Sequence, residues 1–390
     1  MPAGRMPRQK TIILTNDLVD QAKPGDHLFV TGAYLNQRSL GLTGSHGYAL
    51  FDTLIEANYL ELLGEVKEGG VTPSEINIMR QFAKDPRIGE TLINSIAPSI
   101  HDLRDSKRAL CLSMFGGNAK DVAGQHRIRG DINVLLLGDP GMAKSQLLKY
   151  VEKVFPRAVL TSGKGASAVG LTAGVHRDVL TREWVLEGGA LVLADKGICL
   201  IDEFDKMNEN DRVSIHEAME QQTISISKAG IVSTLQARCA VIAAANPVRG
   251  EYDNSLQFSE NVNLSEPILS RFDILCVLRD EITREGDERL ARFIMESHVN
   301  NHPSNETEEN EDIAEYDENF KYSKDVKALP QWFLKKYIMY GRTKRPSLDG
   351  INEKKLVNVY TKVRKISDQN SGIKLTIRHF ESMLRLAEGE

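Results

Sequence analysis

Cysteine is scarce and scattered. The four, Cys111, Cys199, Cys239 and Cys276, form no C-x-x-C pair. That spacing excludes a paired-cysteine zinc site and a disulfide framework. Three of the four sit in apolar strand-like runs, as buried reduced thiols do. The nine histidines are read as forming no H-x-x-x-H pair and no metal cluster. No apolar stretch approaches the roughly 18 residues of a membrane span, and the basic segment 1–10 carries no hydrophobic run. A soluble intracellular protein without a membrane partner is expected. Charge of either sign is not in large excess. The net charge of −5 neither requires nor excludes nucleic acid, because a basic face can sit within an acidic average. There are no tandem repeats.

What is present is ample. A chain of 390 residues, 41% hydrophobic, suggests two to three domains. Residues 1–10 read as a basic arm. Residues 11–40 read as short strands around the turn Lys23-Pro24-Gly25-Asp26, too few to close a barrel. A further strand or short helix is expected within 51–66. Thr72-Pro73-Ser74-Glu75 is a helix start and Asp85-Pro86 a stop. Segments 92–98 and 106–115 read as short helices. From 131 to 278, strands alternate with helices. The strand candidates are 132–137, 159–161, 190–194, 198–201, 240–245 and 274–278. Near-continuous apolar runs of this kind suit a parallel sheet covered on both faces, with its ligand at the carboxyl ends of the strands. Segment 300–319, rich in Asn, Glu and Asp, reads as a solvated linker. Amphipathic helices at 331–340, 353–367 and 376–387 then form a small helical lid. The domain division is 1–65 arm and β-domain remnant, 66–95 helical linker, 96–300 ATPase core, 301–320 acidic linker and 321–390 lid.

The chemistry centres on Gly138-Asp139-Pro140-Gly141-Met142-Ala143-Lys144-Ser145-Gln146. An apolar strand precedes it. A helix follows, with Leu147, Leu148, Val151, Val154 and Phe155 on one face. A glycine-rich turn between strand and helix presents backbone N–H groups to phosphate oxygens. Lys144 can reach the β- and γ-phosphates, and Ser145 can ligate Mg²⁺. Ala143 stands where glycine usually precedes the lysine. A second apolar strand delivers Asp202 and Glu203. Asp202 would hold Mg²⁺ and Glu203 would polarise the attacking water. Asp205 reads as structural. A third strand ends at Asn246, placed to bond the γ-phosphate or the nucleophilic water; before Pro247, it could instead simply form a turn. Arg271 precedes the last strand, poorly placed for its own nucleotide and well placed as an arginine finger toward a neighbour's; a surface salt bridge is the plainer alternative. Arg378, opening the last helix, could likewise touch phosphate or remain a solvated charge. Two insertions bear on a substrate. Segment 223–235 alternates about Lys228-Ala229-Gly230 and reads as a β-hairpin. In a ring channel Lys228 would grip a nucleic-acid backbone without reading sequence. Segment 166–186, with Gly170, Gly174, His176, Arg177 and Arg182, could be a second channel loop.

Taken together, the strings Gly138 to Ser145, Ile201-Asp202-Glu203-Phe204-Asp205-Lys206-Met207, Ala244-Ala245-Asn246-Pro247 and Ser270-Arg271-Phe272-Asp273 resemble the minichromosome maintenance (MCM) helicases of the AAA+ class. Finer strings, Ala194 to Gly197, Glu217 to Gly230 and the stretch around Ser297-His298-Val299, are similar to the second-subunit branch in eukaryotes. The resemblance implies an α/β fold: a P-loop ATPase with a parallel sheet, β-hairpin insertions and a helical lid, preceded by the tail of an oligonucleotide-binding β-domain. It implies ATP and Mg²⁺ as cofactors, other MCM subunits in a heterohexameric ring, single-stranded DNA in the channel, and the nucleus. Lys144, Ser145, Asp202, Glu203 and Asn246 would serve one interface. Arg271 and Arg378 would act in trans on the adjacent subunit's ATP, and Lys228 would line the channel. The alternative is an ATP-binding structural subunit of the same ring that hydrolyses little. Other AAA+ remodellers with hairpin insertions fit the Asp-Glu-Phe-Asp-Lys-Met string less well. Ile100-His101-Asp102-Leu103 departs from the aromatic-Gly-His step usual near the adenine. The family's zinc module, most of its barrel and its carboxyl-terminal winged helix have no counterpart here, so a fragment or a reduced gene product is expected.

Overall fold

The computed structural model describes residues 10–19, 21–22, 28–38, 51–62, 72–122, 126–164, 168–177, 184–228, 231–248, 250–253, 256, 258–262, 264–280, 283–300, 328–346, 353–369 and 376–389. The chain divides into two compact units, Met1–Gly70 and Val71–Glu390.

In the first unit, β1 (Thr11–Ile13), β2 (Leu28–Arg38) and β3 (Phe51–Leu62) form one sheet in the order β1-β3-β2. The ambiguous segment after residue 50 is therefore a strand. It pairs antiparallel with β2, with a register shift at Thr31/Gly32. The turn 23–26 lies outside the described residues.

The second unit begins with three helices: α1 (Pro73–Phe82), α2 (Ile88–Ser95) and α3 (Arg104–Phe115). Thr72 caps α1 reciprocally with Glu75, as the Thr-Pro-Ser-Glu string predicts. There follow β4 (Lys120–Val122), β5 (His126–Ile128), β6 (Val134–Gly138), α4 (Lys144–Val154), β7 (Ala158–Ser162), α5 (Ala168–Leu171), β8 (Ala173–Arg177), β9 (Trp184–Gly188), α6 (Ala190–Leu193) and β10 (Ile198–Asp202). Next come α7 (Glu209–Gln221), β11 (Thr223–Lys228), β12 (Ile231–Gln236), β13 (Ala240–Ala245), α8 (Phe258–Asn261), α9 (Glu266–Leu269) and β14 (Ile274–Leu278). Four helices close the chain: α10 (Arg284–Asn300), α11 (Gln331–Arg342), α12 (Glu353–Gln369) and α13 (Ile377–Gly389).

The central sheet runs β14-β6-β13-β10-β7, and every pairing in it is parallel. Its strands alternate between two cores. Val134, Leu136, Ile198, Leu200, Ile242 and Ala244 pack with α1, α3, α4 and α11. Leu135, Leu137, Cys199, Ile201, Val241 and Ala243 pack with α6, α7 and α9. Both faces are thus covered, which is why the strands read as unbroken apolar runs.

One strand assignment fails. Residues 190–194 form a helical turn, α6, not a strand. Five apolar residues cannot tell a buried strand from a buried helix. Here Gly189 precedes a turn whose Ala190, Leu191 and Val192 all face the second core. β8 and β9 pair as a hairpin within the proposed second channel loop, and its turn, 178–183, lies outside the described residues. The linker segment beyond Asn300 also lies outside them.

Candidate nucleotide site

β6 is buried along its whole length, between β13 and β14. At its end the backbones touch. A Cβ on Gly138 would stand 2.1 Å from the Leu278 carbonyl oxygen, so only glycine allows β14 to pair there. The chain then turns through Gly141 at φ +88° and Ala143 at φ 53° into α4. Ala143 takes a left-handed conformation that costs a residue bearing a Cβ roughly 1–2 kcal/mol. The Lys144 ammonium donates to the carbonyls of Gly138 and Asp139, both at 2.7 Å. The side chain of Asp139 is engaged elsewhere. Its two oxygens accept from the backbone N–H groups of Tyr252 (2.8 Å) and Asp280 (3.1 Å), tying the loop to the exits of β13 and β14. Lys144 is 7% exposed. Burial holds its pKa below the ordinary lysine value, while Asp139, Asp202 and Asp205 act in the opposite direction. Asp202, the first of the paired acids, is thus within electrostatic reach of the loop lysine.

Asp202 ends β10. Its carbonyl accepts from Gly163 N–H at 2.7 Å, and its Oδ1 accepts from the Glu203 N–H at 2.9 Å. Glu203 sits at φ 52°, left-handed, just past the carboxyl end of β10. Asp205 is structural, as expected. Its Oδ1 accepts from the Asn246 N–H at 3.2 Å, fixing the end of β13 beside the two acids. Lys144 and Ser145 open α4 just beyond β6, and Asp202 and Glu203 stand at the carboxyl end of β10, two strands away in the parallel sheet with β13 and its Asn246 between them. That donor set fits a magnesium-bound triphosphate. A cavity of about 800 Å³ opens beside Met142, lined by Leu103, Arg104, Arg108, Cys276 and Leu386 among others. Its rim carries the departing string: Asp102 and Leu103 both stand at φ 57°.

The two arginines lie elsewhere and lie together. Arg271 follows α9 and Arg378 opens α13, and both bind one carboxylate, Glu220 near the end of α7. Arg271 reaches Glu220 Oε2 at 2.5 Å and the Pro267 carbonyl at 2.6 Å. Arg378 takes Glu220 Oε1. Beneath them Asp273, 1% exposed at its side chain, binds Arg129 at 3.2 Å and Arg385 at 2.7 Å. It also accepts from the Asn133 N–H at 2.9 Å and contacts Ser382. A cavity of about 200 Å³ is framed by Arg129, Glu220, Arg271, Arg378, Glu381 and Arg385.

Residues that the motifs did not single out do much of the positioning. Asn133 is buried in front of β6. Its side chain accepts from Val241 N–H at 2.9 Å and donates to the Arg271 carbonyl at 3.2 Å, bridging β13 to the arginine. Glu220 lay inside a quoted string, yet no local pattern marks an acid as an arginine partner. β11 and β12 pair antiparallel as the expected hairpin, with Lys228 opposite Ile231. The turn and the Lys228 side chain lie outside the described residues. Among the described residues no three metal-ligating side chains gather. His298 and His302 do stand four apart, a spacing the histidine reading passed over, and His302 lies outside the described residues.

Three family models match the chain: an MCM P-loop domain at residues 75–298, an MCM AAA-lid domain at 332–390 and an MCM OB domain at 1–38. The chain is 55% identical over its whole length to the DNA replication licensing factor MCM2 of Arabidopsis thaliana, covering 42% of that protein. Against the mcm2 licensing factor of Xenopus laevis it is 56% identical over 99% of its length, covering 44% of that protein. The minichromosome maintenance protein MCM of Saccharolobus solfataricus is 43% identical over the full chain, which covers 54% of it. The chain therefore spans less than half the length of the MCM2 relatives it matches.

Proposed function

The chain belongs to the MCM family of P-loop ATPases, and from that premise we propose that it is an MCM2-like subunit of a replicative helicase ring. It would couple ATP hydrolysis at subunit interfaces to the movement of DNA through the ring. The observation that carries this reading is the separation of its two halves along one sheet. Lys144, Asp202 and Glu203 stand at the carboxyl ends of the strands, while Arg271 precedes β14. The paired row Ile274/Val134 is four residues from the row Leu278/Gly138, about 13 Å of strand. Arg271 precedes the first of these rows by three residues and is paired with Glu220. That separation supports a reading in which this chain supplies half of each of two sites, and each ATP would lie between two subunits.

Lys144 and the loop amides would hold the β- and γ-phosphates, and Ser145 and Asp202 would hold Mg²⁺. The metal would neutralise charge developing on the phosphate oxygens. Glu203 would orient and deprotonate the attacking water, and Asn246 would fix that water or the γ-phosphate. Arg271 and Arg378 would stabilise the charge on the neighbour's transferring phosphoryl group. Lys228, on the hairpin packed against α7, would hold the backbone of a single DNA strand. By likeness to proteins named as DNA replication licensing factors, its partners would be other MCM subunits of a heterohexamer and its setting the nucleus.

ATPase assays of the chain alone and of the ring reconstituted with partner subunits test this. Hydrolysis should rise about 10³-fold or more at the completed interfaces. Glu203→Gln should abolish the share contributed by this chain's own site while leaving ATP binding intact. A ring whose rate ignores Glu203→Gln would make the chain a structural ATP binder instead.

A further inference from the structure

The Arg271–Glu220–Arg378 arrangement carries a role that the proposed function does not use. Glu220 offers both carboxylate oxygens, one to each arginine. The groups it occupies are the terminal guanidinium nitrogens that would meet a phosphoryl group. The three residues come from three elements: α7, the end of α9 and the start of the lid helix α13. The lid is already anchored one turn further along, where Asp273 holds Ser382 and Arg385. Asp273 thus secures the second and third turns of α13, while Glu220 ties down its first turn and fixes the two cationic tips. The surrounding cavity favours an anion. Four arginines line it against two acids, Glu220 and Glu381, and the buried Nε atoms of Arg271 and Arg385 have no hydrogen-bond partner. Burial works to raise the carboxyl pKa of Glu220. The Arg271 hydrogen bond and the charges of Arg271 and Arg378 prevail and hold it below the usual range, so the carboxylate stays charged. Its half-exposed position lets it swing out when a stronger anion arrives.

We propose that Glu220 is an anionic placeholder: its carboxylate holds Arg271 and Arg378 in the subunit whose arginine face is empty, and a neighbour's triphosphate must displace it. This rests on the reading of Arg271 and Arg378 as trans-acting. Glu220 is then a positioning residue whose release accompanies interface closure. Displacing a charge-assisted contact that is partly open to solvent costs little enough to permit exchange, and its removal shifts apparent nucleotide affinity by roughly threefold to tenfold.

Amide hydrogen exchange tests the idea at two levels. The reporters are the amides of 381 to 384, whose helical acceptors are the carbonyls of the first turn of α13. In the chain alone, Glu220→Gln should accelerate their exchange severalfold, and Lys144→Ala should not. In the reconstituted ring, titration with a slowly hydrolysed ATP analogue should protect these amides. The half-point for Glu220→Gln should lie roughly threefold to tenfold lower than for the unaltered ring. Unchanged exchange in the chain alone overturns the placeholder. So does an unshifted half-point in a ring where Arg271→Ala abolishes the protection. If Arg271→Ala leaves the protection intact, the trans assignment fails, and displacement of Glu220 fails with it.

Discussion

At Ala143 a single methyl group works against the loop it belongs to. Its φ of 53° is one that glycine adopts freely. The left-handed cost of roughly 1–2 kcal/mol, less the extra chain entropy of glycine, leaves a net gain of about 0.5–1 kcal/mol for Ala143→Gly. Urea unfolding of the nucleotide-free chain should show that gain as a higher midpoint with an unchanged slope. Lys144 is a second case. Buried as an ammonium, its pKa lies below the ordinary 10.5. The unfolded chain then binds more protons than the folded one between that lowered value and the ordinary one, so this group's contribution to stability rises with pH through that window. The cysteines behave as their scatter implies. Burial pushes the Cys111 and Cys199 thiols up to about 12 and Cys276 to about 11, far from reactive thiolates.

Among the elements, α6 shows how packing settles what a short run leaves open. The turn that follows it is clamped by one ion pair. Asp195 accepts from Arg238 at Nε (3.0 Å), at its terminal nitrogen (2.7 Å) and at its backbone N–H (2.8 Å). Burial would raise the Asp195 pKa, yet the bonds from Arg238 win and hold it below 3.8. Its stabilisation is therefore present above the ordinary carboxyl range and lost as pH falls through the lowered value. Asp195→Asn should cost about 1–2 kcal/mol at neutral pH, discounted for partial exposure. The gap from the unaltered chain should close in thermal melts as pH is taken down through that lowered value. α7 is the other telling element. Glu217 accepts from Ser225 N–H in the hairpin at 3.0 Å, and three residues on Glu220 holds the arginines. One helix thus touches both the hairpin base and the arginine pair.

For the whole molecule, the consequence of two half-sites is a pattern of additivity. Lys144→Ala and Arg271→Ala placed singly in this chain should each silence a different interface of the ring, by about 10³-fold at that interface. Placed together they should silence two, and the losses should add. Were both residues to serve one nucleotide, the double change would cost little more than either alone. Steady-state ATPase rates of the three reconstituted rings decide between these outcomes.

The loop, the paired acids, the strand-end asparagine and the order of strands and helices were readable in the amino-acid string. Phosphate chemistry needs particular side chains at the junctions of buried strands, and such junctions leave local, contiguous patterns. Where the spacing carried no period, as at residues 190–194, or the partners were distant in sequence, the string was silent. Glu220, Asn133 and Asp273 gained their roles only when α7, β6, β14 and α13 met. An arginine binds whichever acid the fold delivers to it, and delivery is a property of tertiary packing.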